Sequence, residues 1–184
     1  MSAGPHSLPR ARAGFSLVEL MISLTLVMML TLALLTSFTF IARGDRSLTN
    51  YGEMNAQARK LLEQLGQDLR SATDVTNFTS TDLYLIVPTN TAGTTTQSVI
   101  WSFNSVNSAV TRQDGSGTKT YAQNVDTFSF YYYNSARPSA ETTSLVEVKQ
   151  VQLKLRMLRL VASTITSEYV ISSQFTMRAK STAH

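Results

Sequence analysis

The sequence predicts an α+β fold, a long N-terminal helix packed on an antiparallel β-sheet head, and three observations carry that expectation. Leu20 to Ile41 run for 22 residues without a charge. Met54 to Ala72 place apolar residues three and four apart, the spacing of one helix face. From Asp82 onward the period changes to two, the spacing of half-buried strands. A helix followed by a run of strands is the pattern of a helix laid on an antiparallel sheet.

As a helix the uncharged run is about 33 Å long, enough to cross a hydrocarbon core of about 30 Å. Arg10 and Arg12 precede it, and Arg43 and Arg46 follow it beside Asp45, so the basic residues do not set its orientation. In the second helical stretch Met54, Ala58, Leu61, Leu65, Leu69 and Ala72 form a single apolar stripe. Glu53, Gln57, Lys60, Glu63, Gln64, Gln67 and Asp68 are expected on the polar face. Gly44, Gly52 and Gly66 interrupt the pattern, each costing about 1 kcal/mol relative to Ala in a helix interior, and a bend fits near Gly44 or Gly52.

Thr73 to Thr81, scattered with Thr and Ser, reads as a loop. Strands are expected at Leu83 to Pro88, Val99 to Asn104, Ala109 to Arg112, Thr127 to Tyr133, Leu145 to Leu160 and Glu168 to Arg178. Turns are expected at Asn90 to Gly93, Asp114 to Gly117 and Asn134 to Ser139. In the fifth of these strands the apolar set moves from Val146 and Val148 to Val151, Leu153, Leu155 and Met157. A one-residue phase change would turn the apolar face to solvent, so a bulge or break is expected near Gln150. The polar residues that follow, Lys154 and Arg156 with Arg159 beyond, make the chain's notable basic strip. It reads as a solvated face that discourages edge pairing, or as a contact for DNA or an acidic neighbour. Phe128, Phe130 and Tyr132 are expected in the core, and Asp114-Gly115-Ser116-Gly117 in a hairpin turn.

Composition removes several functions. The 16 basic residues against 12 acidic give a net +4, which is no nucleic-acid footprint by itself. There is no cysteine, hence no disulfide framework, thiolate metal site or cysteine nucleophile, and the two histidines are His6 and the final His184. A histidine-based triad or metal site in the head is therefore nearly excluded. No catalytic, cofactor or metal residue is assigned, and the chain is read as not an enzyme.

Glu19 is the anomaly. A carboxylate within a membrane run costs about 2.5 to 3.5 kcal/mol and marks a functional position by default. An uncleaved signal anchor, with Glu19 near the interface, is one explanation. An ordinary secretory signal fits poorly, because the run is too long and the small residue Gly14 precedes it.

Basic residues, then Gly14, then Phe15-Ser16-Leu17-Val18-Glu19-Leu20 and a long apolar helix resemble the class III signal of type IV pilins and pseudopilins. The resemblance implies that a prepilin peptidase cuts between Gly14 and Phe15 and N-methylates Phe15. Glu19, then the fifth residue, would pair with the amino terminus of a neighbouring subunit. It divides the chain into a leader at 1–14, a transmembrane and filament-core helix at 15–41, an amphipathic helix at 42–72 and a β-sheet head at 73–184. Leu65, Asp68, Leu69, Arg70 and Ala72, with "VIWSFNSVNSAVTRQDGSG" and "YAQNVDTFSFYYYN", are similar to the J-class minor pseudopilins of type II secretion and the W-class minor pilins. Major pilins of the commonest type carry a proline where this chain has Thr36, and many close a C-terminal disulfide that is impossible here. The resemblance thus implies a minor subunit of a type IV pilus or secretion pseudopilus in a tip or initiation complex, held in the bacterial inner membrane with its head outside the cytoplasm. Its partners would be other minor and major pilins, the peptidase and the assembly platform. The alternative is a DNA-uptake or adhesion subunit of a competence-type filament, using Lys154, Arg156 and Arg159.

Overall fold

The computed structural model describes residues 14, 16–90, 95–134, 140–162 and 165–178, with the backbone alone at 162, 165 and 166. The chain divides between Gly44 and Asp45 into two compact units. A single helix, α1 (Leu17–Ser71), supplies the described helical residues of both, and its hydrogen bonding runs through Gly44, Gly52 and Gly66. Among the described residues the elements that follow it are all strands, an α+β pilin-like fold.

In the second unit two antiparallel meanders are built in chain order. The first sheet joins β1 (Asp74–Phe78), β2 (Asp82–Pro88), β3 (Thr96–Asn104), β4 (Ala109–Asp114) and β5 (Gly117–Ala122). The second joins β6 (Val125–Tyr133), β7 (Gln150–Ala162) and β8 (Ile165–Thr176). Between them Asn124 takes a left-handed φ of 59°, which asparagine tolerates better than most residues, and the chain passes from one sheet to the other. The sheets are tied by the Val125 amide donating to the Ser108 carbonyl at 3.0 Å and the Phe130 amide to Ser80 at 2.8 Å.

The stripe of α1 behaves as its spacing predicts. Met54, Ala58, Leu61, Leu65, Leu69 and Ala72 are all buried and form one core with residues of both sheets, among them Leu85, Trp101, Phe130 and Leu153. Burying each large apolar side chain contributes about 1.5–3 kcal/mol. Period two holds in β2, where Leu83, Leu85 and Val87 are buried, and in β7, where Val151, Leu153, Leu155 and Met157 are. In β6 a register shift between Val125 and Thr127 carries burial from Val125 to Phe128.

Several expectations are corrected. Asp68 is not on the polar face of the helix: it is 4 % exposed. Its carboxylate accepts hydrogen bonds from Trp101 Nε1 at 2.9 Å, Arg112 Nε at 2.7 Å and Gln64 Nε2 at 3.1 Å. The guanidinium of Arg112 also meets Asp114. Burial of a charge is tolerated only when it is paired and hydrogen-bonded, and here every arm of the carboxylate is used. Residues 74–78, expected in a loop, form β1, an edge strand with a bulge between Val75 and Asn77. Residues 117–122, not expected as a strand, form β5. Leu145 to Lys149 are not strand: residues 145–147 make a turn and β7 starts at Gln150, where the phase change is. Asp114 to Gly117 close the β4–β5 hairpin, with Gly117 at a φ of 128° that a side chain rarely adopts. Of the other two expected turns, residues 91–93 and 135–139 lie outside the described residues.

Gly66 has a packing reason for sitting inside a helix. A Cβ there would lie 3.0 Å from Cε1 of Phe175 on β8. At Gly44 and Gly52 an added Cβ meets nothing within 4 Å.

Candidate functional site

The N-terminal segment is built by the start of α1. The Ser16 carbonyl accepts the amides of Glu19 at 3.0 Å and Leu20 at 3.1 Å, which puts Ser16 at the N-cap and Glu19 at the third helical position. Ser and Glu at that separation have the spacing of a capping box. Glu19 also stands in the first turn, where aligned peptide dipoles place positive partial charge. Its position at the mouth of the helix, with an exposed side chain, is therefore electrostatically sensible before any partner arrives. The S-x-x-E spacing was visible in the sequence and identifies Ser16, which the sequence reading left without a role.

Beyond Glu19 every side chain from Leu20 to Ile41 is exposed, Phe40 at 79 %. Five of the six hydroxyls in this run are turned inward on the helix itself. Ser23 Oγ donates to the Glu19 carbonyl at 2.7 Å, Thr31 Oγ1 to Val27 at 2.7 Å, and Thr36 Oγ1 to Leu32 at 2.7 Å and Ala33 at 3.0 Å. Thr25 and Thr39 do the same to Ile22 and Thr36. Hydroxyls bonded in this way leave no donor for lipid to satisfy. α1 is the one helix among the described residues long and apolar enough to cross a membrane.

Gly14 is exposed, and a Cβ added there meets nothing within 4 Å. The described residues place no steric demand for glycine at this position. Phe15, the expected cleavage partner, methylation site and subunit contact, lies outside the described residues, as does the leader at 1–13.

The basic strip is only partly a strip. Lys154 and Arg156 lie on the outer face of β7, opposite the buried Leu153, Leu155 and Met157. Lys154 Nζ stands 4.5 Å from the ring centroid of Tyr131 on β6. Arg156 Nε donates to Asp126 Oδ2 at 2.9 Å, and its Nη1 is 3.7 Å from Glu168 Oε1. The hydrogen bond from Arg156 holds the Asp126 carboxyl below the usual carboxylate range, with the Thr127 hydroxyl contributing. Arg159 falls in phase with Met157, on the other face, and pairs with Glu53 of α1. The structure thus brings Lys154 and Arg156 together and sends Arg159 to the helix. Among the described residues no group of three or more His, Asp or Glu side chains is placed to hold a metal ion.

Residues 9–35 match the family described as a prokaryotic N-terminal methylation motif. No curated protein and no solved structure matches the chain. The chain carries a prepilin-type class III signal and is type IV pilin-like. Such a signal implies processing by prepilin peptidase and assembly with other pilins. The motif is that of structural subunits and not of an enzyme family, and with the apolar helix it indicates membrane anchoring.

Proposed function

We propose that this type IV pilin-like chain is a minor pilin or minor pseudopilin. It is cut after Gly14, N-methylated on Phe15 and placed in the tip or initiation complex of a type IV pilus or secretion pseudopilus. The observation that carries the reading is the combination at the start of α1: an exposed carboxylate, Glu19, in the first turn of a helix whose following apolar run is exposed on every side. A helix of that kind is stable only when something apolar covers it. The bilayer covers it first, with the head outside the cytoplasm, and neighbouring subunits cover it after extraction by the assembly platform.

Cleavage gives Phe15 a new amino group, which stays protonated after one methylation. In the low dielectric of a filament core this cation pairs with Glu19 of the next subunit. Removing one partner of a buried pair costs about 3–5 kcal/mol, so the pair selects register more than it adds net stability. The absence of cysteine, and Thr36 in place of a helix proline, support a minor over a major subunit.

Intact-mass analysis of the protein from its native membrane tests processing. The expected mass lacks Met1 to Gly14 and gains one methyl group; a full-length mass refutes the proposal. Glu19→Ala is expected to insert and be processed but to enter filaments poorly, measured by the sheared-filament fraction, and normal incorporation would remove the pairing role. A bulky residue in place of Gly14 is expected to block cleavage, whereas Gly14→Ala permits some.

DNA uptake is a second reading. It rests on Lys154, whose ammonium group lies over Tyr131, a cation beside an aromatic face of the kind that single strands stack on. Arg156 and Arg159 already hold carboxylates. Neutralising Lys154, Arg156 and Arg159 with filaments intact is expected to abolish DNA retention on this reading, and unchanged retention ends it.

A further inference from the structure

The second unit has a polarity along α1. Ser47 Oγ lies 3.3 Å from Ser167 Oγ, Tyr169 OH donates to Asn55 Oδ1 at 3.1 Å, and Phe175 abuts Gly66. Helix and β8 therefore run in the same direction, and the end of β7 paired with the start of β8 lies where Asp45 begins the unit. The first sheet is ordered in the same way. Trp101 and Arg112 are level with Asp68, whereas Gln57 Oε1 accepts the Gln123 amide at 3.0 Å. The β3–β4 turn runs from Trp101 away through Asn104 and back to Arg112. It is joined through Ser108 to Val125, two residues after Gln123, so it too lies toward the Asp45 end.

Among the described residues, four of the seven exposed large apolar side chains of this unit lie at one end. Leu48 at 73 %, Tyr51, Val106 at 90 % and Leu160 at 70 % gather at the Asp45 end. Leu145 and Val146 lie at the opposite end, beside Asp74 and Val75 just after the last residue of α1, and Val170 sits on the outer face of the second sheet. Single exposed apolar residues need no explanation, but a set drawn from a helix, a turn and the end of a strand onto one end does. Leu48 and Tyr51 follow Ile41 by seven and ten residues in the chain, and Arg46 precedes them.

The geometry points to the Asp45 end of the head as a membrane-surface contact: Leu48, Tyr51, Val106 and Leu160 seat in the interfacial layer of the bilayer that holds the apolar part of α1. The inference rests on membrane anchoring by residues 20–41 and goes beyond it, because an anchored head could equally stand clear on its helix. Continuity chooses lipid as the occupant. The contact residues begin seven residues after the apolar run ends, tyrosine with leucine suits the boundary between headgroups and chains, and Arg46 suits anionic headgroups. The contact would hold the head against the bilayer until extraction, so that leaving the membrane breaks two attachments.

The chain has no cysteine, which makes single-site labelling clean. Leu160→Cys, Val106→Cys, Val146→Cys and Leu30→Cys, each carrying an environment-sensitive fluorophore, would be placed in the full chain in phosphatidylethanolamine and phosphatidylglycerol vesicles with shallow nitroxide lipids. Blue-shifted emission and strong quenching at 160 and 106, with water-like unquenched emission at 146, are expected. Emission at 160 and 106 that matches 146, while 30 stays quenched by deep nitroxides, overturns the contact and leaves anchoring intact. Shielding of 160 that appears only at high protein-to-lipid ratio, without lipid quenching, assigns the end to a second copy and likewise overturns it. Loss of quenching at 30 removes anchoring itself, and the contact with it.

Discussion

The two parts of α1 obey different rules although one hydrogen-bonded helix contains both. From Leu20 to Ile41 the apolar side chains point in every direction and none is covered. From Met54 to Ser71 they are confined to one stripe, and that stripe disappears into the core of the head. The first part depends on its surroundings for cover and bonds most of its hydroxyls to its own backbone. The second supplies its own surroundings and can bury even a carboxylate, because Trp101 and Arg112 come to meet it. A change in the first should therefore appear in insertion and assembly, and a change in the second in folding.

The largest test of this contrast is Asp68→Ala. It leaves the Trp101 indole N–H without its acceptor, and Arg112 with Asp114 as its remaining carboxylate, in a site where the Arg112 side chain is 12 % exposed. The expected loss is about 3–5 kcal/mol of head stability, read as a lowered urea midpoint in detergent, with Asp68→Asn costing less. Leu65→Ala, at a position with no exposed surface, is expected to cost about 2–5 kcal/mol. Leu30→Ala, exposed in the uncovered part, should leave that midpoint unchanged and weaken only insertion; equal midpoint losses would break the comparison.

Glycines give a smaller effect. Gly52→Ala should gain up to about 1 kcal/mol, since its Cβ meets nothing and the helix gains propensity. Gly66→Ala should gain less or lose, because Phe175 must move, and Gly66→Ala with Phe175→Leu should recover the gain.

The smallest expected effect is the pH dependence of the head. Burial raises the Asp82 carboxyl, but hydroxyls of Ser102, Thr81 and Thr79 more than offset it and leave it below its usual value. The Ser116 amide, with the Arg112 guanidinium, holds Asp114 below its usual value too. Both groups bind a proton less tightly folded than unfolded. Their stabilisation is complete above the unfolded carboxylate value of about 3.9 and is lost as pH falls through the lower folded values. Urea midpoints should stay level from pH 7 to about pH 5 and fall below about pH 4, and Asp82→Asn or Asp114→Asn should make that fall shallower.

What could be read in advance follows the same physical division. The apolar run, the helix stripe and the buried faces of β2, β6 and β7 were legible because side-chain spacing alone sets which face is apolar. Even the start of β7 at Gln150 was legible as a change of phase. β1 and β5 were not: in "DVTNF" and "GTKTYA" few side chains are buried, and these edge strands exist because a neighbour offers backbone partners. Leu145 to Lys149 misled because Val146 and Val148 alternate as a strand would, yet Val146 is exposed on a turn.

By itself the sequence determined what local periodicity and a short motif can encode: a membrane-length helix with a prepilin-type signal before it, an amphipathic continuation, and a strand-rich head. The tertiary structure decided what no spacing states. Asp68 lies three residues after Leu65 and four before Ala72, within reach of the apolar stripe, but only the arrival of Trp101 and Arg112 from 33 and 44 residues away makes its burial affordable. Arg159 left the basic strip because Glu53 was there to receive it. Periodicity fixes which face a residue takes, whereas the partner waiting on that face is a property of the folded chain.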